Sequence, residues 1–191
     1  PHSSLEAHSR LAQPIAFSPD NKTLISASQD STIEAWDVAT GTSFRTFAGH
    51  SGPITALVFF GGGKILASAS HDKTIRIWNT ATGTVVTVLE GHTDFVESIA
   101  ISSDGKLVAS GSEDATIRLW EVATGELRCT LRGHYTSVRA IAFLHDNTVV
   151  TSASLDGAVN FWNVSTGACI NAFTLEGDHM QYSRLVFSPD C

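Results

Sequence analysis

The stretch "SEDATIRLW" (residues 112–120) places Ser112, Asp114 and Trp120 within one short segment, and His92 lies twenty residues before Ser112. Serine, histidine and aspartate together are the parts of a hydrolytic triad. They are also the parts of a hydrogen-bonded strut inside a sheet. Repetition separates the two readings. Tryptophan occurs at 36, 78, 120 and 162, at intervals of 42 residues. Aspartate keeps the same interval at 30, 72, 114 and 156, histidine at 8, 50, 92 and 134, and serine at 26, 68, 110 and 152. A catalytic constellation occurs once, beside a pocket and an oxyanion hole. The same residues recurring four times in fixed register indicate a frame.

One period contains four strand signals. In residues 91–131, "FVESIAIS" (95–102) alternates in polarity, "SDG" (103–105) is a turn, and "KLVASGS" (106–112) is a second apolar run. "EDA" (113–115) turns into "TIRLW", with Ile117 and Leu119 on one side and Thr116, Arg118 and Trp120 on the other. "ATG" (123–125) turns again into "ELRCTL" (126–131). No segment shows sustained helical periodicity with caps. Four short antiparallel strands per repeat predict one blade of a β-propeller. A single small sheet cannot cover both its faces, so stacked neighbours must do so.

The pattern Gly-His, then Asp, then Trp-Asp or a near equivalent resembles that of WD40 repeats. It reads "GH" at 49–50, 91–92 and 133–134, "WD" at 36–37, "WN" at 78–79 and 162–163, and "WE" at 120–121, with "AH" at 7–8 in the first repeat. The resemblance implies an all-β fold of four complete blades plus a partial fifth. The repeats fall near 7–48, 49–90, 91–132 and 133–176, with 177–191 as the partial unit, in a single propeller domain over 1–191. It also implies four side-chain tetrads, His8–Ser26–Asp30–Trp36, His50–Ser68–Asp72–Trp78, His92–Ser110–Asp114–Trp120 and His134–Ser152–Asp156–Trp162. Each repeat carries a second serine two residues on, such as Ser112 after Ser110, on the same side of the strand. The family pattern selects the first. "FSPD" (17–20, 187–190) and the "ATG" turns are also similar to the WD40 regions of fungal NACHT-type receptors and to bacterial WD40 arrays.

Composition narrows the function. The chain has 191 residues, 42% apolar and 16% charged, which suits a packed domain rather than a disordered one. The net charge of −7, with Lys and Arg spread along the strands, argues against nucleic-acid binding. No stretch reaches about 18 apolar residues, so no membrane span is expected. The triplets at Asn21 and Asn163 carry little weight without a secretory signal. Cys129, Cys169 and Cys191 are too scattered for a disulfide framework or a zinc site. A reducing compartment is expected, the cytoplasm with the nucleus left open. "GGG" (61–63) sits in a hairpin and reads as a turn, not a phosphate cradle, so no cofactor is expected. His2, His71, His145 and His179 fall outside the 42-residue interval and make no cluster.

Positions that stay constant across repeats report the frame, and the variable ones report tolerance or recognition. The resemblance implies a docking face at one end of the blades. Mapped here it holds Leu11, Gln13 and Gln29; Pro53, Thr55 and His71; Phe95, Glu97 and Glu113; and Ser137, Arg139 and Leu155. Phe95 beside charged residues suggests a contact site for proteins or peptides, and Glu97 with Glu113 would favour a basic segment. The expected function is a non-catalytic interaction scaffold or recognition module. The alternatives are a ligand-sensing or self-assembling segment of a larger receptor and, least favoured, an enzyme with a site in the channel. Four blades leave two end faces open, so the chain is expected to be part of a longer protein, to associate with a second copy into one ring, or to complete another protein's ring.

Overall fold

The computed structural model describes residue 8, residues 12–144 and residues 146–175. Leu11, His145 and the expected partial fifth repeat at 177–191 lie outside the described residues, as do His2 and His179. The described residues form four antiparallel sheets of four strands, each in simple meander order. Blade 1 holds β1 (Ala12–Phe17), β2 (Thr23–Ser28), β3 (Ile33–Asp37) and β4 (Thr42–Phe47). Blade 2 holds β5 (Ile54–Phe60), β6 (Ile65–Ser70), β7 (Ile75–Asn79) and β8 (Val85–Leu89). Blade 3 holds β9 (Val96–Ile101), β10 (Leu107–Ser112), β11 (Thr116–Glu121) and β12 (Leu127–Arg132). Blade 4 holds β13 (Val138–Leu144), β14 (Val149–Ser154), β15 (Ala158–Asn163) and β16 (Cys169–Thr174). The "GGG" stretch forms a single 3₁₀ turn between β5 and β6, with all three glycines at positive φ.

The first strands line up side by side, β1 with β5, β5 with β9 and β9 with β13. Side chains lock these neighbours. Thr55 Oγ1 donates to the carbonyl of Val96 at 2.6 Å, and Ser98 Oγ donates to that of Val138 at 3.3 Å. Both bonds cross from one blade to the next, so Thr55 holds a joint rather than standing free on a docking face.

Alternation along each strand supplies two apolar faces per blade. One, the leading face, packs on the next blade, and the other, the trailing face, carries the tryptophan. Between blades 1 and 2, Ile25, Ile33 and Phe47 meet Leu66 and Trp78. The Phe47 and Trp78 rings pack edge to face, 5.8 Å between centroids. Between blades 2 and 3, Ile75, Ile77 and Leu89 meet Val108 and Trp120. Between blades 3 and 4, Ile117, Leu119 and Leu131 meet Val150 and Trp162. Among the described residues, each of the three joints thus holds a core shared by two sheets, and a smaller cluster of Ala140, Ala153 and Val159 lies within blade 4.

The two outermost faces show what a joint contributes. Phe173 stands where Phe47, Leu89 and Leu131 stand in the other blades, yet it is 46% exposed against 0–1% for those three. Ile15 and Phe17 on the trailing face of blade 1 are 64% and 55% exposed. Truncating Leu131 to alanine is expected to cost about 2–5 kcal/mol, as for a buried leucine. In the monomeric chain, Phe173→Ala is expected to cost under about 1 kcal/mol, as for a surface position. Urea denaturation of the two variants beside the parent chain measures the difference.

Candidate functional site

The repeated serine is buried in the second strand of each blade, and its hydroxyl is the meeting point of the tetrad. In blade 2, Trp78 Nε1 donates to Ser68 Oγ at 2.8 Å, and His50 Nε2 lies 2.8 Å from the same oxygen. On its other side, His50 Nδ1 lies 2.6 Å from Asp72 Oδ2. Blade 3 repeats this with Trp120, Ser110, His92 and Asp114, the three distances each being 2.8 Å. A neutral imidazole that gives its Nδ1 proton to the carboxylate presents Nε2 as an acceptor. The serine then accepts from the indole and donates to the imidazole, so every polar atom in this chain of contacts is used. Blade 1 is looser: Trp36 to Ser26 is 2.9 Å and His8 to Ser26 is 2.8 Å, but His8 Nδ1 is 3.5 Å from Asp30.

The second serine of each pair has different work. Ser70 Oγ donates to the Gly52 carbonyl and accepts from the Asp72 amide, and Ser112 Oγ does the same with Asp94 and Asp114. The first serine thus ties the sheet to the histidine, and the second ties the turn to the loop. The glycine before the histidine in blades 2 to 4 has a positive φ, +147° at Gly91, and sits close to the next layer of side chains. A Cβ on Gly91 would sit 2.8 Å from an Arg118 nitrogen and 3.4 Å from Trp120.

Blade 4 departs from the expected tetrad. Trp162 and His134 reach Ser152 at 2.8 and 2.7 Å, but Asp156 does not bond to His134, and His134 Nδ1 is buried without a partner. In blades 1 to 3 a threonine two residues after the aspartate (Thr32, Thr74, Thr116) donates to Oδ1 at 2.5–2.7 Å. Blade 4 has Ala158 there. Asp156 instead accepts from Ser154 Oγ and the Ala158 amide, while its own amide donates to Thr136 Oγ1 at 3.0 Å. Burial holds the His134 pKa below the ordinary histidine value, opposed by the Asp156 charge. Restoring the threonine should turn the carboxylate back to the imidazole. Ala158→Thr is expected to stabilise the chain by about 1 kcal/mol, the net value of one hydrogen bond, read by urea denaturation.

Burial pushes the Asp72 and Asp114 carboxyls up, but hydrogen bonds from the histidine and threonine outweigh it and hold both well below the usual carboxylate range. A depressed carboxylate contributes stability that is complete above about pH 4 and is lost as pH falls toward its folded value. The acid-induced loss of stability below about pH 4 is therefore expected to be shallower in Asp114→Asn than in the parent chain. Urea midpoints taken between pH 2 and 5 test this, and parallel curves would refute it.

The end of the blades carrying the histidine loops, called the top, holds the other expected residues. Gln29 and Leu155 are exposed, Pro53, His71, Phe95, Glu97, Glu113 and Arg139 are half-buried, and Ser137 is buried. Gln13 falls in β1. Two corrections follow from their contacts. Phe95 is not an exposed ring: it stacks on His71, with centroids 4.1 Å apart and planes 8° from parallel. Glu97 and Glu113 are not a free acidic pair. Arg139 bridges them, at 2.7 Å to Glu97 and 3.0 Å to Glu113, and His71 adds a 3.3 Å contact to Glu97. Burial raises the Glu97 pKa against the pull of Arg139 and His71. His71, outside the repeat interval, thus belongs to a polar network spanning three blades.

One residue of this end escaped sequence reasoning. Tyr135 follows the blade 4 histidine where the other repeats have Ser9, Ser51 and Thr93, and it is 92% exposed. Its loop lies against the turn bearing Leu155, since Leu155 N donates to the Ser137 carbonyl at 3.1 Å. The break in a series of small hydroxyl residues was the available signal.

This geometry defines the class. The WD domain, G-beta repeat family matches residues 2–37, 41–79, 83–121 and 125–163, and the chain belongs to that family of non-catalytic interaction modules. Each matched unit ends at the tryptophan strand, so residues 41–79 take β4 from blade 1 and β5–β7 from blade 2. Among curated proteins, the chain is 42% identical over 55 residues to Protein TOPLESS of Arabidopsis thaliana, covering 28% of this chain and 5% of that protein. It is 32% identical over 54 residues to the periodic tryptophan protein 2 homolog of Dictyostelium discoideum, covering 28% and 6%. It is 43% identical over 49 residues to the nuclear distribution protein PAC1 of Candida albicans, covering 25% and 10%. The matched stretches are thus a small part of each relative. Among the described residues, no group of three or more His, Cys, Asp or Glu side chains could hold a metal, and no helix is long and apolar enough to cross a membrane.

Proposed function

We propose that the chain recognises a protein or peptide segment at the top of blades 3 and 4. The observation that carries this reading is the pair Tyr135 and Leu155, 92% and 39% exposed on adjoining loops. Tyrosine is among the residues enriched at binding hot spots, because it offers large area with few rotatable bonds. Beside it the Arg139–Glu113 ion pair is half-exposed and Asp156 is exposed. Two carboxylates against one guanidinium leave this rim acidic, which favours a partner that sets a lysine or arginine next to an apolar anchor. Panning the chain against a phage-displayed peptide library tests this. Selected peptides are expected to carry an aromatic or aliphatic residue near a basic one. Tyr135→Ala with Leu155→Ala is expected to weaken them about tenfold or more at unchanged melting temperature. Glu113→Lys is expected to lower the on-rate and its salt dependence. Selected peptides that ignore all three changes would refute the site.

A second reading concerns assembly, and it rests on the exposed end faces. Phe173 lies on blade 4, and Ile15 and Phe17 on blade 1, in positions that the internal joints bury or half-bury. The leading face of blade 4 is built to receive a trailing face like that of blade 1, and a second copy supplies one. Sedimentation of the chain at micromolar concentration is expected to show a dimer that Phe173→Glu converts to monomer; a parent chain monomeric at that concentration would exclude it. The narrower similarity to fungal NACHT-type receptors gains no support from the turns on which it rests. Ser18 of "FSPD" donates to Asp20 and accepts from the Thr23 amide, and Ser102 does the same with Asp104 and the Leu107 amide. These contacts close the first hairpin of blades 1 and 3 alike.

A further inference from the structure

The first three blades carry the same cross-strand pair on the leading face, but in blade 1 it is reversed. Blade 2 pairs Ala67 with Ile77 and blade 3 pairs Ala109 with Leu119, so the large residue sits on the third strand. Blade 1 pairs Ile25 with Ala35, so the large residue sits on the second. All six are buried. The reversal keeps the summed volume of the pair nearly constant but moves it one strand inward. The space beside the outer strand is left unfilled.

A cavity of about 190 Å³ occupies that space at the joint of blades 1 and 2. Ile25, Ala35, Phe44 and Phe47 of blade 1 and Phe59 of blade 2 supply its apolar lining. Phe44 is 52% exposed and brings the cavity to the surface. Ser18, Thr23 and Thr80 also line it; Ser18 Oγ donates to Asp20 and Thr80 Oγ1 to the Gly63 carbonyl. An enclosed apolar void of about 150 Å³ takes up benzene, and this cleft, open to solvent at Phe44, offers a comparable volume beside three phenylalanine rings.

We propose that this cavity is a binding site for a small apolar molecule of a single aromatic ring, seated on Ala35 among Phe44, Phe47 and Phe59. A ring there touches both blades, so its binding tightens the joint. The site lies at the end of the blades opposite Tyr135 and Leu155, and it stands or falls independently of docking there.

Toluene titrated into the ¹⁵N-labelled chain is the probe, with amide shifts and thermal unfolding as readouts. Saturable shifts are expected at Ala35, Phe59 and Thr80, with a higher melting temperature at saturation. Ala35→Leu places on the third strand the residue type that blade 3 carries, and is expected to abolish those shifts and to raise the melting temperature by itself. Should that variant fail to fold, Phe44→Ala, at a half-exposed position, is expected to weaken toluene binding about tenfold. Absence of saturable shifts at these three amides, shifts that persist in Ala35→Leu, or unchanged affinity in Phe44→Ala would each overturn the site.

Discussion

The structure depends on a buried serine hydroxyl that receives an indole N–H and engages an imidazole. An indole nitrogen buried without an acceptor costs about 1–3 kcal/mol, more than a typical hydrogen bond contributes net. Ser26, Ser68, Ser110 and Ser152 remove that cost in their blades. The tryptophan is then free to present its ring to the preceding blade, as Trp78 does to Phe47. The histidine on the other side of the hydroxyl pins the loop that leads from the preceding blade into the same sheet. One oxygen thus couples packing between blades to the path of the chain.

That economy explains why the catalytic interpretation fails on physical grounds. In the tightest tetrads, His50 and His92, the imidazole is held between a carboxylate and a hydroxyl that already accepts from tryptophan. The serine and the histidine rings are buried there. Such a hydroxyl is a satisfied strut, not a nucleophile awaiting substrate. Blade 4 shows how narrow the margin is, since the change from threonine to Ala158 coincides with release of Asp156 from His134. The blade with the relaxed frame is also the one whose loop displays Tyr135.

Strand positions were legible because short-range alternation and turn residues set them locally. "FVESIAIS" anticipates β9 (Val96–Ile101) and "KLVASGS" anticipates β10 (Leu107–Ser112). The opposite facing of Leu119 and Trp120 was legible for the same reason, and each joins a different core. The top was legible only as a region. That Phe95 stacks on His71 and that Arg139 joins Glu97 to Glu113 depends on residues 24–42 positions apart meeting across blades. No local pattern encodes such a meeting. The cavity beside Ala35 was equally hidden, because a reversed Ile–Ala pair leaves composition and alternation unchanged.

By itself the sequence determined the repeat, the four-stranded blade and the residue types of the strut, since a 42-residue interval fixes which side chains share a place in every sheet. Tertiary structure decided which charges cancel, which aromatic rings reach solvent and where packing leaves a void. Those outcomes depend on the distance between side chains of neighbouring sheets, and that distance exists only once the blades have stacked.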